Sequence, residues 1–553
     1  MRRRPPAQHP PAPAEPARPD LSFRSPAPAR SRSDRRAQPT PTNLSPEPAD
    51  RANPASGRRA PSAHLSLETC LSRHLLPHSL SRTATALSAA LALLPAPTAA
   101  ASDLGAPAHA LDARRDACLA RNDHAPERYR GLVRAFCAEH ARLAGTGASL
   151  AVGEGGELRF VATAGTGCRD GTAVDRDTGF RIGSITKLLT AALALTLVDD
   201  GRLELDAPIA ALVPELVGAD PRAAAISIRQ LLAHTAGLPD PAPDELGADD
   251  DWPLRLGARP LWSEPGALWS YSSAGYAIVG LALERLTGAA FPALLADRLL
   301  ASLTHRATAD IDMALRTGPA CGHLGRGDQA RELDIAEDLA LGAGGARWTI
   351  PAGGVIASAA DLVHLVLALV DPVRSPLSAD AITALLTPEV ATDERPGERY
   401  GLGVRLQPRA GDLTVFAHSG DTGDFAADLY FAPDRGFALA LLVNGGDHLR
   451  ATAAAGLRDL LGVSPAPPTP AASPAHYLGA YAVPGWSSPA RVESSHRGLT
   501  LTAPDLGLAA APLVHAGDHR FRAGALALTF VFADGSARAT HLRARTFVGA
   551  RLP

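Results

Sequence analysis

The stretch Phe180-Arg181-Ile182-Gly183-Ser184-Ile185-Thr186-Lys187 opens an apolar run that continues to Val198. The run predicts a helix, and residues three apart on a helix share a face, so the Ser184 hydroxyl and the Lys187 amine are expected to meet. A serine at a helix start also keeps its own backbone N–H unpaired, aimed where a developing oxyanion would gather charge. The helix dipole favours negative charge at that end. A hydroxyl beside an amine able to take its proton is a usable nucleophile near neutral pH.

Ser-x-x-Lys alone is a common pattern, and composition is what makes this occurrence stand out. Among 54 basic residues Lys187 is the single lysine; all the others are arginine. The abundance of Ala, Pro and Gly indicates a GC-rich coding background, in which arginine replaces lysine wherever a plain positive charge suffices. A guanidinium does not deprotonate in proteins, whereas an ammonium does. A solitary lysine one helical turn after a serine therefore marks a place where proton transfer is needed.

Working outward, residues 111 to 143 carry a helical pattern. Two short strand candidates follow, Ala148 to Val152 and Leu158 to Thr163, joined by Gly153-Glu154-Gly155-Gly156. A long, mostly helical region comes next. Ser227 with Gln230 and Ser358 with Asp361 have capping-box spacing, and Gly201 and Gly288 read as helix stops. Strands return at Leu413 to His418, Ala427 to Phe431 and Phe437 to Asn444, the last two joined by Pro433-Asp434-Arg435-Gly436. Early and late strands enclosing helices predict an α+β fold: one antiparallel sheet built from both ends of the domain, flanked by helices, with an inserted helical region. After a helix ending at Leu461, residues 464–475 form a Pro-, Ala- and Ser-rich linker. Residues 476–553 read as a small β domain, whose clearest signal is a hairpin of Ala527 to Phe532 and Ala537 to Leu542 turned by Asp534-Gly535.

The chain has 553 residues, more than one core usually organises, so folded domains plus non-globular segments are expected. Residues 1–70, rich in Pro, Arg, Ser and Ala, lack a hydrophobic period and read as disordered. Residues 71–101 have the three parts of a secretory signal: basic residues, the apolar run Thr83 to Leu94, and small residues ending near Ala101. So distant a signal leads to the expectation of a true start near residue 70, at a non-methionine codon. The catalytic domain is then 102–463. Export also fits the cysteines: Cys118, Cys137, Cys168 and Cys321 lie beyond the cleavage point and suffice for two disulfides of open connectivity. Net charge is −3 and the arginines are dispersed, which argues against nucleic acid. No zinc-ligand spacing occurs, no cofactor or metal is called for, and no stable transmembrane anchor is expected. Oligomeric state stays open.

With these motifs in place, the chain resembles the serine β-lactamase and penicillin-binding-protein group over roughly residues 145 to 460, particularly its class C and carboxypeptidase- or esterase-like branch. The resemblance is carried, in order, by the Phe180–Lys187 stretch, Ile228-Arg229-Gln230-Leu231-Leu232-Ala233-His234-Thr235-Ala236-Gly237-Leu238, Glu264-Pro265-Gly266, Tyr271-Ser272-Ser273-Ala274-Gly275-Tyr276, Pro351-Ala352-Gly353-Gly354 and His418-Ser419-Gly420. It implies Ser184 as acylated nucleophile, Lys187 as its proton partner and Tyr271 as a further general base. It implies the N–H groups of Ser184 and Asp421 as an oxyanion hole, and Ser273, His418, Ser419 and Gly420 as substrate-binding positions. Two departures matter. Ser273 stands where the family usually has Asn, and His418 where it usually has Lys, so a permanent cation is missing and histidine supplies one only when protonated. The His variant points to small amide or ester substrates: a D-amino-acid peptidase or carboxypeptidase, or an esterase. A β-lactamase, or an inactive binder of penicillin or cell-wall fragments, are the alternatives. His234 reads as structural, fixing the loop before Gly237; Trp262 and Trp269 read as a substrate wall or, in preference, as aromatic packing. The C-terminal β domain resembles the small lipocalin-like barrel appended to some of these hydrolases.

Overall fold

A computed structural model describes residues 108–553, apart from 144–145, 305, 326–329, 334–346, 396, 409–412, 465–471 and 534–535. The disordered segment, the secretory signal and most of the linker expected from the sequence lie outside the described residues.

The body is an eight-stranded antiparallel sheet. Its strands are β1 (Ala148–Glu154), β2 (Glu157–Ala164), β3 (Val390–Ala391), β4 (Arg399–Tyr400), β5 (Arg405–Pro408), β6 (Thr414–Asp421), β7 (Ala426–Ala432) and β8 (Phe437–Val443). Their spatial order is β2-β1-β8-β7-β6-β5-β4-β3, so strands from the two ends of the body meet where β1 pairs with β8, Leu150 opposite Leu441. All seven residues of β8 are buried, as a central strand covered on both faces requires. Period-two alternation sorts the side chains. Leu150 and Val152 of β1 join one core, while Ala151 joins the other.

The first core is covered by α1 (Ala108–Arg121), α2 (Arg130–His140) and, from the far end of the body, α7 (Arg450–Leu461). The sequence pattern suggested a single helical stretch from 111 to 143. The chain instead breaks at Asn122, whose side chain donates to the Cys118 carbonyl, and restarts after Pro126, which lacks the N–H that an unbroken helix would use. A disulfide between Cys118 and Cys137 ties the two helices together, and a second joins Cys168 to Cys321. The latter closes a 153-residue loop, and loop-closure entropy makes such long crosslinks the more stabilising.

The other face carries α3 (Thr186–Asp199), α4 (Ser273–Thr287), α5 (Ile350–Gly353) and α6 (Ala359–Leu369). Helix α3 is buried from Thr186 to Leu197, hydrophobic all round as a core helix must be. Gly201 and Gly288 take left-handed φ values of +67° and +74° where α3 and α4 stop. Both expected capping boxes are present.

Nine further strands form a nearly closed antiparallel barrel. They are β9 (Gly479–Ala482), β10 (Ala490–Ser495), β11 (Gly498–Ala503), β12 (Leu508–Pro512), β13 (Val514–Gly517), β14 (Arg520–Ala523), β15 (Leu526–Val531), β16 (His541–Ala544) and β17 (Phe547–Arg551). The two strands of the expected hairpin pair with each other, while its Asp534-Gly535 turn lies outside the described residues. The second strand begins at His541 rather than Ala537, because Phe530 pairs with Leu542. Barrel and body belong to one compact unit. Among the described residues no single helix is long and apolar enough to cross a membrane.

Candidate active site

Ser184 sits in a tight turn, Gly183–Ile185, that runs directly into α3. The turn is wedged against the end of β6. Gly183 has φ +50°, and a Cβ there would come within 2.8 Å of the Asp421 amide nitrogen. A Cβ on Gly420 would lie 1.9 Å from the Ile182 carbonyl oxygen. Both positions therefore require glycine, and their absence of side chain is what lets the Asp421 N–H approach the Ser184 turn. Strand β6 is free to do this because β5 pairs only with Thr414–Ala417, leaving the edge from His418 to Asp421 open.

Lys187 is fully buried. Its Nζ lies 3.1 Å from Ser184 Oγ, 3.3 Å from Ser273 Oγ and 2.9 Å from the Ala352 carbonyl on α5. These three partners are neutral oxygens. Nζ can donate to each of the three, and the Ala352 carbonyl among them can only accept. Tyr271 Oη lies 2.7 Å from the same Ser184 oxygen, and its ring centroid 4.8 Å from Nζ. The structure thus brings Ser184, Lys187, Tyr271 and Ser273 into one cluster, with the Asp421 amide beside it.

Tyr271 lies outside any helix or strand, so tertiary contacts fix it. The Ser272 N–H donates to His234 Nδ1 at 3.1 Å, and the Ser270 N–H to the His234 carbonyl at 2.7 Å. His234, with φ +59°, thus holds the segment around Tyr271 to the loop before Gly237, of which it is part. Ser272 caps α4 through the Gly275 N–H, and Asp240 accepts the Ser273 N–H at 2.6 Å. Trp269 is buried against His234, Tyr271 and Tyr400, which is aromatic packing rather than a substrate wall.

His418 is buried, with both ring nitrogens engaged. The Ser419 carbonyl, which can only accept, lies 2.8 Å from Nδ1 and so places the proton there; Tyr400 Oη, 3.0 Å away, donates to Nε2. Burial, and then the charges of Arg405 and Lys187, push its pKa down to about 3. At neutral pH it is uncharged and presents no cation. Its neighbour Ser419 is solvent-exposed and donates to Asp428 at 2.6 Å.

A pH dependence of stability follows. Since the folded-state pKa of His418 lies below the ordinary value of about 6.5, the unfolded chain binds the proton first as pH falls. The stabilisation is full above about pH 6.5 and is lost progressively toward the folded value of about 3. His234, also buried, shifts in the same direction. Urea midpoints are expected to decline between pH 7 and 4, and His418→Gln to flatten that slope; an unchanged slope counts against a neutral His418.

Several residues escaped the sequence reading. Ala352 lay in a recognised stretch, but a backbone carbonyl leaves no residue-type signature. Asp240 and Tyr400 act through tertiary contacts, and Arg543 and Arg545 come from the barrel. Arg545 follows β16, with a side chain 70% exposed, Nε 3.4 Å from Asp240 and guanidinium carbon 5.8 Å from the Tyr271 ring centroid.

Comparison with known proteins agrees with this architecture. Penicillin-binding protein 4 of Amycolatopsis lactamdurans is 33% identical over 316 residues, covering 54% of this chain and 81% of that protein. Esterase EstB of Burkholderia gladioli is 35% identical over 177 residues, 28% of this chain and 45% of its own length. The crystal structure of SurE with D-Leu superposes with a TM-score of 0.56 at 27% identity, covering 80% of this chain and all of that one. The family described as beta-lactamase matches residues 132–462, more than half of the sequence, and the chain belongs to it.

Proposed function

We propose that the chain is an exported serine hydrolase that works through a covalent acyl-enzyme on small amide or ester substrates. The observation that carries this reading is the Ser184 oxygen held between Lys187 Nζ at 3.1 Å and Tyr271 Oη at 2.7 Å. A hydroxyl flanked by two groups able to exchange its proton is poised for nucleophilic attack.

In the first step Ser184 Oγ bonds to the substrate carbonyl carbon while its proton passes to the Lys187–Tyr271 pair. The N–H groups of Ser184 and Asp421 take the charge that develops on the carbonyl oxygen. Collapse expels the alcohol or amine, which leaves with the proton. Water then attacks the acyl-enzyme, gives a proton to the same pair, and releases the acid as Ser184 is reprotonated. No step calls for a cofactor. Ser273, Ser419 and Gly420 line the substrate path, and the buried His418 shapes it through Tyr400.

The relatives' names favour amide and ester chemistry: a penicillin-binding protein, an esterase, and a protein crystallised with D-leucine. Arg545 supports a substrate with a free carboxylate, since its exposed guanidinium supplies near Tyr271 the permanent cation that a neutral His418 does not. Short peptides ending in a D-amino acid, or the corresponding esters, fit best. The two disulfides support an oxidising compartment, hence export. On this reading the catalytic domain is 102–463, the linker 464–475 and the barrel domain 476–553.

The test is intact mass after exposure to a fluorophosphonate, a p-nitrophenyl ester and a penicillin, with turnover followed on peptides bearing free or amidated C-termini. Expected are a single adduct mapped to Ser184, steady release of p-nitrophenol, and an Arg545→Ala variant whose KM rises roughly tenfold for free-acid substrates only. Absence of any Ser184 adduct refutes the reading. A stable adduct without turnover makes the chain a binder.

A further inference from the structure

We infer that the barrel completes the catalytic centre: Arg543 on β16 is a positioning residue that holds the Trp269–Tyr271 segment so that the Tyr271 hydroxyl stays on Ser184. The inference rests on the serine-hydrolase reading.

Arg543 comes from the barrel yet is 5% exposed, and its guanidinium is spent on the body. One nitrogen donates to the Trp269 carbonyl, and another donates to the Thr392 carbonyl at 2.6 Å. Its carbon lies 4.7 Å from the Trp269 ring centroid, and that of Arg405 lies 5.1 Å from the same ring. Arg405 in turn pairs with Glu394 at 2.8 Å and Glu398 at 2.7 Å, so the buried charges are balanced locally. An arginine is a costly way merely to dock two bodies. Burying it forfeits hydration, and apolar side chains of similar volume usually hold an interface as well or better. What it offers over them is a pair of fixed donors aimed at two carbonyls.

One of those carbonyls belongs to the residue two before Tyr271. Downstream, Tyr271 is anchored by the Ser272 cap, His234 and Asp240. Upstream, the anchors are the Ser270 bond to His234 and the Arg543 bond to Trp269. Tyr271 lies in irregular backbone, so a slackened upstream anchor shows as displacement of its phenol. With its side chain buried and both terminal nitrogens donating to body carbonyls, Arg543 does not touch substrate. Its removal therefore affects the proton transfer and leaves binding alone.

The experiment is a double-mutant cycle on the full chain, with Arg543→Met as the volume-conserving variant and Tyr271→Phe as its partner. Fluorophosphonate acylation rates and p-nitrophenyl ester kinetics are read together. Arg543→Met is expected to lower kcat and the acylation rate roughly 30- to 100-fold, as an ångström-scale displacement does. KM is expected to stay within about twofold. In the Tyr271→Phe background the same substitution is expected to cost less than about threefold, because the group it positions is already gone. Arg543→Lys, which keeps the charge and one donor, is expected to recover part of the rate, and it also serves if the Met variant fails to fold. Equal losses with and without Tyr271, a KM effect without a kcat effect, or unchanged labelling in a folded variant each overturn the inference. A wild-type chain that no fluorophosphonate labels overturns the hydrolase reading itself, a result distinct from these.

Discussion

Lys187→Arg is expected to lower kcat/KM by roughly a thousandfold or more, within the span usual for losing a general base. Charge is retained and a donor still faces Ser184, so an electrostatic role alone would survive. What disappears is the capacity to cycle between protonated and neutral forms, which a guanidinium lacks. In the structure Nζ has three oxygen partners, and the Ala352 carbonyl among them can only accept. A neutral amine leaves one lone pair for the Ser184 proton; arginine leaves none. The larger head must also enter a fully buried site, an overpacking worth about 1–3 kcal/mol, so thermal unfolding has to be measured beside the kinetics. Lys187→Met separates the effects, being smaller, neutral and equally unable to take a proton. Both variants are expected to lose activity alike while differing in stability. A folded Arg variant with near-normal rates would refute proton transfer through this residue.

The same lysine shows why part of the site was legible in the sequence. The meeting of Ser184 and Lys187 needs only helical periodicity, which operates over three residues and does not depend on the rest of the fold. Five strands of the sheet, β1 with β2 and β6 to β8, were legible because period-two alternation and the turn at Pro433–Gly436 are local as well, whereas the short β3 to β5 were not. Tyr271 was reached through the resemblance, since an aromatic residue in irregular backbone carries no periodic signal. Contacts such as Arg543 with Trp269 span 274 positions, and nothing local to either residue announces them. The break between α1 and α2 was missed for the converse reason. The hydrophobic period runs through it, while the decisive events are the Asn122 side chain turning back on the Cys118 carbonyl and a proline four residues later.

Tyr271→Phe is expected to reduce kcat by roughly 100- to 1000-fold with KM little changed, because in the proposed mechanism the phenol oxygen takes part in proton transfer and not in holding the fold. The ring stays: it packs on His234 with centroids 4.3 Å apart and near Lys187 Nζ, and phenylalanine keeps both contacts. The loss is one hydrogen bond of 2.7 Å to Ser184, worth about 1 kcal/mol to stability, so the variant is expected to fold normally. Lys187 still reaches Ser184, so slow labelling by a fluorophosphonate is expected to persist; this distinguishes the variant from Ser184→Ala, which cannot be labelled at all. If Tyr271 also serves the deacylating water, release of the acyl group becomes the slow step. An initial burst of p-nitrophenol close to one equivalent per chain then precedes a depressed steady state. A burst with slow turnover assigns Tyr271 to both steps. Uniform slowing without a burst restricts it to acylation, and wild-type turnover leaves Lys187 as the sole base. Because the phenol is held by the Trp269 carbonyl upstream and the α4 cap downstream, the same pattern in milder form is what loosening either anchor should produce.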